Sequence, residues 1–273
     1  MPMPNRRILL AAALALAALP AAAQEFTPMD PRLVTPGKLT VGTADVVFPP
    51  WMLDNDPAGG RGFENGLVYA LAAEMGFARE DVVWVGLTFE QTIAPGDKPF
   101  DFAIQQISVT EERARVVSFS DVYFQPDKAV VALPESPVAT ARSFAELRAA
   151  RWGATVGTTD LAYIETVLGV PRPAVFSDQA ATFLALQAGQ IDATVVALPT
   201  ALFATAVQVP EARITALLPP DANDRGHGLL FEKDSPLVPW VNAALAAVIA
   251  AGTVERLKAE YLIADPDLPI ITE

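Results

Sequence analysis

The chain has 273 residues, 52% of them hydrophobic, with a formal net charge of −13 at pH 7. Its length suits two domains of ordinary size, and its apolar content is enough for a sizeable core, which excludes a disordered chain. The acidic balance argues against nucleic acid or an anionic lipid surface as partner, and the absence of cysteine excludes a disulfide framework, a thiolate metal site and a cysteine nucleophile.

Arg6 and Arg7 precede an apolar run, Ile8 to Leu19, and then Ala21-Ala22-Ala23. This order of basic, apolar and small residues predicts a secretory signal removed after Ala23, the run being shorter than the ~20 residues that span a bilayer. Residues 24–37 are proline-rich and aperiodic and read as an irregular leader. A short strand is predicted over Lys38 to Ala44. The following loop ends in Phe48-Pro49-Pro50-Trp51, where two prolines stiffen the chain and two aromatics project from it. Phe63, Leu67, Leu71 and Met75 fall four apart, the stripe of a helix stopped at Gly76. Asp81 to Leu87 reads as the next strand, with Phe89 just beyond it.

The segment from Asp101 to Phe124 carries the chemistry. Asp101 to Ile107 is short and apolar, as a buried strand is. Ser108 and Thr110 can then cap a helix whose first turn holds Glu111, Glu112 and Arg113. Ligands of open α/β sheets bind beyond the carboxyl ends of strands, so a guanidinium with hydroxyls and free helix amides reads there as a carboxylate clamp. A surface ion pair of Arg113 with Glu111, Glu112 or Asp121 is the simpler alternative.

Farther on, Ala129 to Leu133 reads as a strand, and Ser143 with Glu146 as a capping box for a helix to about Ala150. Strand Trp152 to Val156 meets Gly157-Thr158-Thr159, a turn whose hydroxyls and helix amides suit an anion, and a helix over Asp160 to Leu168 follows. Asp178 caps a helix through Gln187. Strands follow over Ile191 to Leu198 and Ile214 to Leu218. A flexible run, Ala222 to Gly228, leads to a strand over Leu229 to Glu232. Ser235-Pro236 opens one helix and Thr253 another. The single histidine, His227, lies far from any G-x-S-x-G, and neither a P-loop nor EF-hand or zinc spacing is present. No catalytic residue, metal or cofactor is expected.

The run SVTEERARVVSFSDVYF resembles the pattern T-x-T-x-E-R-x-x-x-V-x-F-S-x-x-Y of the periplasmic solute-binding proteins that feed polar amino-acid ABC transporters. LTVGTADVVFPPWML, RGFENGLVYALAAEMGF, WGATVGTTDLAYIE and AGQIDATVVALPTA resemble further segments of that family, in its order, from Lys38 to Leu262. The resemblance implies a two-lobed α/β fold of the type II periplasmic-binding class with two hinge crossings. Lobe 1 would hold residues 38–124 and 229–273, and lobe 2 residues 125–228. It also implies a monomer in the periplasm that closes its lobes on a small carboxylated solute, an amino acid or close derivative, for an inner-membrane ABC permease.

By the same resemblance, Phe48, Trp51 and Phe89 would face the ligand, and Arg113, Ser108, Thr158 and Thr159 would hold its carboxylate. Gln106 stands where the family often has glycine or serine, and either adds an amide contact or packs. The aspartate that usually receives the ligand's α-ammonium aligns with Ala197, so either Asp45, Asp160 or Asp178 supplies that charge or the ligand has no α-amine. Some relatives are cyclohexadienyl dehydratases, which eliminate water from prephenate or arogenate. That is the alternative function, and Ala197 removes one candidate for the acid it needs.

Overall fold

The computed structural model describes residues 26–262 and 268–271. The expected secretory signal, residues 1–23, lies outside them. The chain opens in irregular turns and then forms strand β1 (Leu39–Ala44), helix α1 (Phe63–Glu74) and strand β2 (Val82–Leu87). Phe63, Leu67 and Leu71 of α1 are fully buried, and the helix ends where Gly76 takes a φ of +85°. Next come α2 (Phe89–Ile93), β3 (Phe102–Ala103), α3 (Glu111–Ala114) and β4 (Ser118–Phe124). Only two residues of the apolar run from Asp101 to Ile107 form a strand. Gln106 breaks the run at a φ of +49°, held by a side chain from α1.

After β4 the chain crosses to a second sheet. There it forms β5 (Lys128–Ala132), α4 (Phe144–Leu147), β6 (Gly153–Thr155), α5 (Thr159–Thr166), β7 (Ala174–Phe176), α6 (Gln179–Gln187), β8 (Ala193–Ala197), α7 (Leu198–Phe203) and β9 (Arg213–Leu218). It then crosses back into β10 (His227–Phe231), α8 (Val238–Ala250) and α9 (Thr253–Tyr261). The first sheet has the order β2-β1-β3-β10-β4, in which β1 runs parallel to β2 and β3, and β10 antiparallel to β3 and β4. In the second, β5 lies antiparallel between β8 and β9, and a parallel bridge from Trp152 to Ala193 joins the β6-β7 pair to β8.

Each sheet has its own core. Leu39, Val41, Phe102 and Phe231 of the first pack on α1, α8 and α9, while Val130, Ala193 and Ala216 of the second pack on Trp152, Tyr163 and Leu168. The assignment of residues 229–273 to the first lobe needs a correction at its end. Ile270 pairs in parallel with Leu217 on the outer edge of β9, and Ile271 is buried in the second core. This tail covers the backbone donors and acceptors of an otherwise open strand edge.

Candidate functional site

The parallel strands of both sheets point their carboxyl ends at the gap between the lobes, and a cavity of about 370 Å³ lies there. Ala44 ends β1, and Asp45 and Phe48 follow it; Thr88 and Phe89 follow β2; Gln105, Gln106, Ser108 and Arg113 follow β3. From the other side come Lys128 at the start of β5, Thr155 and the turn into α5, Asp178 after β7 and Ala197 at the end of β8. The volume falls within the ~300–1,000 Å³ of ordinary small-molecule sites.

Arg113 is placed by a local device. The Thr110 hydroxyl accepts a hydrogen bond from the Arg113 amide at 3.2 Å, which starts α3 at the end of the β3 segment. The guanidinium is buried 5.2 Å from the centroid of the Phe89 ring. Its Nη1 donates to the Ser108 carbonyl at 2.7 Å and its Nη2 to the Gly157 carbonyl, in the opposite lobe, at 2.8 Å. Burial lowers its pKa to about 10, against the pull of Asp224, Asp160 and Glu112, so it stays charged at neutral pH. Gly157 can make this contact because it sits at a φ of +71°, and a Cβ there would lie 3.2 Å from Ile93 of the facing lobe.

Beside Arg113 lies a second, satisfied charge cluster. Lys128 Nζ is 2.8 Å from Asp160 and 3.2 Å from Asp224, and it donates to the Thr159 hydroxyl at 3.2 Å. Burial works against that ammonium, but the two carboxylates outweigh it and raise its pKa. His227 is buried among Trp51, Tyr123 and Phe124, and desolvation drives its pKa down to about 3, leaving a neutral ring at the cavity wall. A further acid, Glu64 of α1, lies behind Gln106. It accepts from the Gln106 amide at 2.9 Å and the Tyr123 hydroxyl at 2.6 Å, and burial raises its pKa to about 7.

Of the residues singled out in the sequence, Phe48, Phe89, Gln106, Ser108, Arg113, Thr158, Thr159 and Asp178 line the cavity, and Trp51 does not. Trp51 is 1% exposed, packs edge-on against Phe63 and Phe124, and donates from Nε1 to Thr200 Oγ1 across the lobes at 2.8 Å. It is therefore a packing residue, since an indole in that core satisfies its one donor and leaves no face for a ligand. The Thr158 hydroxyl is occupied in capping α5, accepting from Leu161 N and donating to the Thr155 carbonyl. Asp178 likewise caps α6 through Ala181 N. Gln106 faces the cavity but directs its side-chain amide to Glu64.

Lys128 and Asp224 were not singled out in the sequence. Asp224 lies in the run read as flexible, although a buried lysine starting an apolar strand is a sign of a partner acid. The short helix that presents Phe89 was not read from the sequence either, and the signal for it is the reciprocal capping box of Thr88 and Gln91.

These features define a two-lobed type II periplasmic-binding-protein fold with a cleft at the lobe junction. The chain belongs to the bacterial extracellular solute-binding proteins, family 3, whose model matches residues 39–264. ABC transporter arginine-binding protein 1 of Escherichia coli (strain K12) is 26% identical over 205 residues, covering 73% of this chain and 81% of the relative. A Salmonella typhimurium periplasmic binding protein described as highly arginine-specific superposes with a TM-score of 0.70 at 22% identity, covering 83% of this chain and 99% of that one. An ancestral amino acid-binding protein, described as a precursor of cyclohexadienyl dehydratase, superposes with a TM-score of 0.69 at 25% identity, covering 83% and 96% of the two chains.

Proposed function

We propose that the protein is an exported, monomeric receptor that captures a free amino acid by lobe closure and delivers it to an ABC permease in the inner membrane. The observation that carries this reading is the buried Arg113 guanidinium, bonded to a carbonyl of each lobe and facing the cavity under Phe89. A ligand carboxylate that takes its remaining N–H groups joins the lobes through a charge-assisted bond shielded from water.

The lining also indicates the kind of amino acid. Arg113 and Lys128 contribute two positive charges and Asp45, Asp160 and Asp178 three negative ones, so the wall carries an excess of one acid. With the ring faces of Phe48 and Phe89, that excess favours a ligand with a cationic side chain. The relatives described as arginine-binding support the same choice. Asp178 and Asp45, which pair with no cation among the described residues, are the acids at hand for an α-ammonium in place of the missing aspartate at Ala197.

A thermal-shift screen of amino acids against their des-amino analogues tests this. A ligand present at 100 times its Kd stabilises by about 2.7 kcal/mol, which L-arginine is expected to reach and its des-amino analogue to miss. Equal shifts from both series would mean that the amine is not read. Incubation with prephenate or arogenate is expected to give no product, and turnover of either would replace binding by dehydration as the function.

A further inference from the structure

The donors that would complete a carboxylate site around Arg113 already serve an acid of the chain itself. Asp224 stands in the second crossing, between β9 and β10, and is buried. Its Oδ2 accepts from the Ser108 hydroxyl of the first lobe at 2.9 Å and from the Thr159 hydroxyl of the second at 3.0 Å, with Lys128 Nζ at 3.2 Å. Its Oδ1 accepts from the Gly226 amide at 3.0 Å, which fixes the carboxylate in the crossing. Ser108, Thr159 and Lys128 all line the cavity, whereas Asp224 is not among its lining residues.

We infer that Asp224 is an intramolecular rival of the ligand's carboxylate, a built-in anion that bridges the two lobes through Ser108 and Thr159 and sets the affinity of the site. This rests on the reading that the ligand is anchored by a carboxylate at Arg113. A ligand carboxylate must either displace Asp224 from these hydroxyls or bind beside it with Arg113 alone. In the second case two like charges share one small region, and their repulsion weakens binding. Asp224 then lowers the affinity for the carboxylate that Arg113 anchors, whereas a ligand without a carboxylate meets no such opposition.

The test uses the full chain, its Asp224→Ala variant, and L-arginine and its decarboxylated counterpart agmatine as probes. Lys128 keeps Asp160 at 2.8 Å in that variant, so its charge stays paired and the fold is expected to hold. Calorimetric titration should show L-arginine bound roughly tenfold or more tighter by Asp224→Ala than by the parent, with agmatine not tightened. Small-angle scattering of the ligand-free chains should show a larger radius of gyration for Asp224→Ala, because one of the bonds that hold the lobes together, beside Arg113 to Gly157 and Trp51 to Thr200, is gone.

L-arginine bound no tighter, or agmatine tightened equally, overturns the rivalry. An unchanged radius overturns the bridge. If parent and variant both ignore L-arginine at millimolar concentration, the amino-acid reading fails by itself, and the radius still decides the bridge. Asp224→Asn, which removes the charge and keeps the shape of the hydrogen-bonding group, serves as the second variant should Asp224→Ala not fold, and it must tighten L-arginine while leaving agmatine untightened.

Discussion

Arg113→Ala is expected to weaken amino-acid binding by roughly two to four orders of magnitude while the chain still folds. The guanidinium is the charge left to a ligand carboxylate in a corner where Lys128 is already paired with two acids. Truncation also strips the Ser108 and Gly157 carbonyls of their shared donor and so removes one of the bonds across the cleft. Both losses fall on the closed, liganded form, because in an open form water reaches the same carbonyls. Arg115, two residues along and exposed, makes no side-chain hydrogen bond or ion pair among the described residues, and Arg115→Ala should bind within a few-fold of the parent. Calorimetric titration with L-arginine, beside a melting curve for each variant, measures both. If Arg113→Ala binds within a few-fold of the parent and melts normally, the carboxylate is held elsewhere.

The second large effect concerns stability and centres on Glu64. Its carboxylate is wholly buried and takes bonds from the Gln106 backbone amide, the Gln106 side-chain amide and the Tyr123 hydroxyl. Glu64→Ala leaves these three donors without their acceptor, at ~1–3 kcal/mol for each that stays buried, and opens a cavity, so a loss on the order of 4 kcal/mol is expected in urea unfolding. Burial raises the pKa of Glu64 from 4.5 to about 7, which also sets a pH dependence.

Between those values the folded chain keeps a proton that the unfolded chain has released. The contribution of Glu64 is therefore fully present below about pH 4.5 and is lost as pH rises towards 7, by about 3 kcal/mol in total. Glu64→Gln imitates the protonated form and should flatten that part of the profile. Urea unfolding at pH 5 and pH 7.5 on parent and variant reads the difference. A parent no less stable at pH 7.5 relative to Glu64→Gln than at pH 5 would show that Glu64 ionises at its ordinary value in the fold. The same acid holds Gln106 at its positive φ, so Glu64 also shapes the cavity wall that Gln106 forms.

What the sequence determined by itself was what short-range forces decide. Phe63, Leu67 and Leu71 lie on one face of α1 because the helix repeats every 3.6 residues, and Thr110 caps α3 because a hydroxyl three residues before the Arg113 amide can reach it. Arg113 was legible for the same reason, as a cation in a capped first turn just beyond an apolar run. The apolar run itself was misread as a longer strand, because the turn at Gln106 is held by Glu64, 42 residues away.

The rest of the site depended on closing two sheets against each other. Trp51 follows two prolines and reads locally as a presented aromatic, yet Thr200, 149 residues on, and the rings of Phe63, Phe124 and His227 enclose it. Ser108 and Asp224 are 116 residues apart, and nothing near either one marks them as partners. Their bond exists because the second crossing runs behind the β3 segment, where a buried acid has to find donors or give up its charge. Only the tertiary structure could bring the Asp224 carboxylate, the Ser108 and Thr159 hydroxyls and the Lys128 ammonium together, since their attraction is decided by distance in space and by exclusion of water, neither of which is written in local spacing.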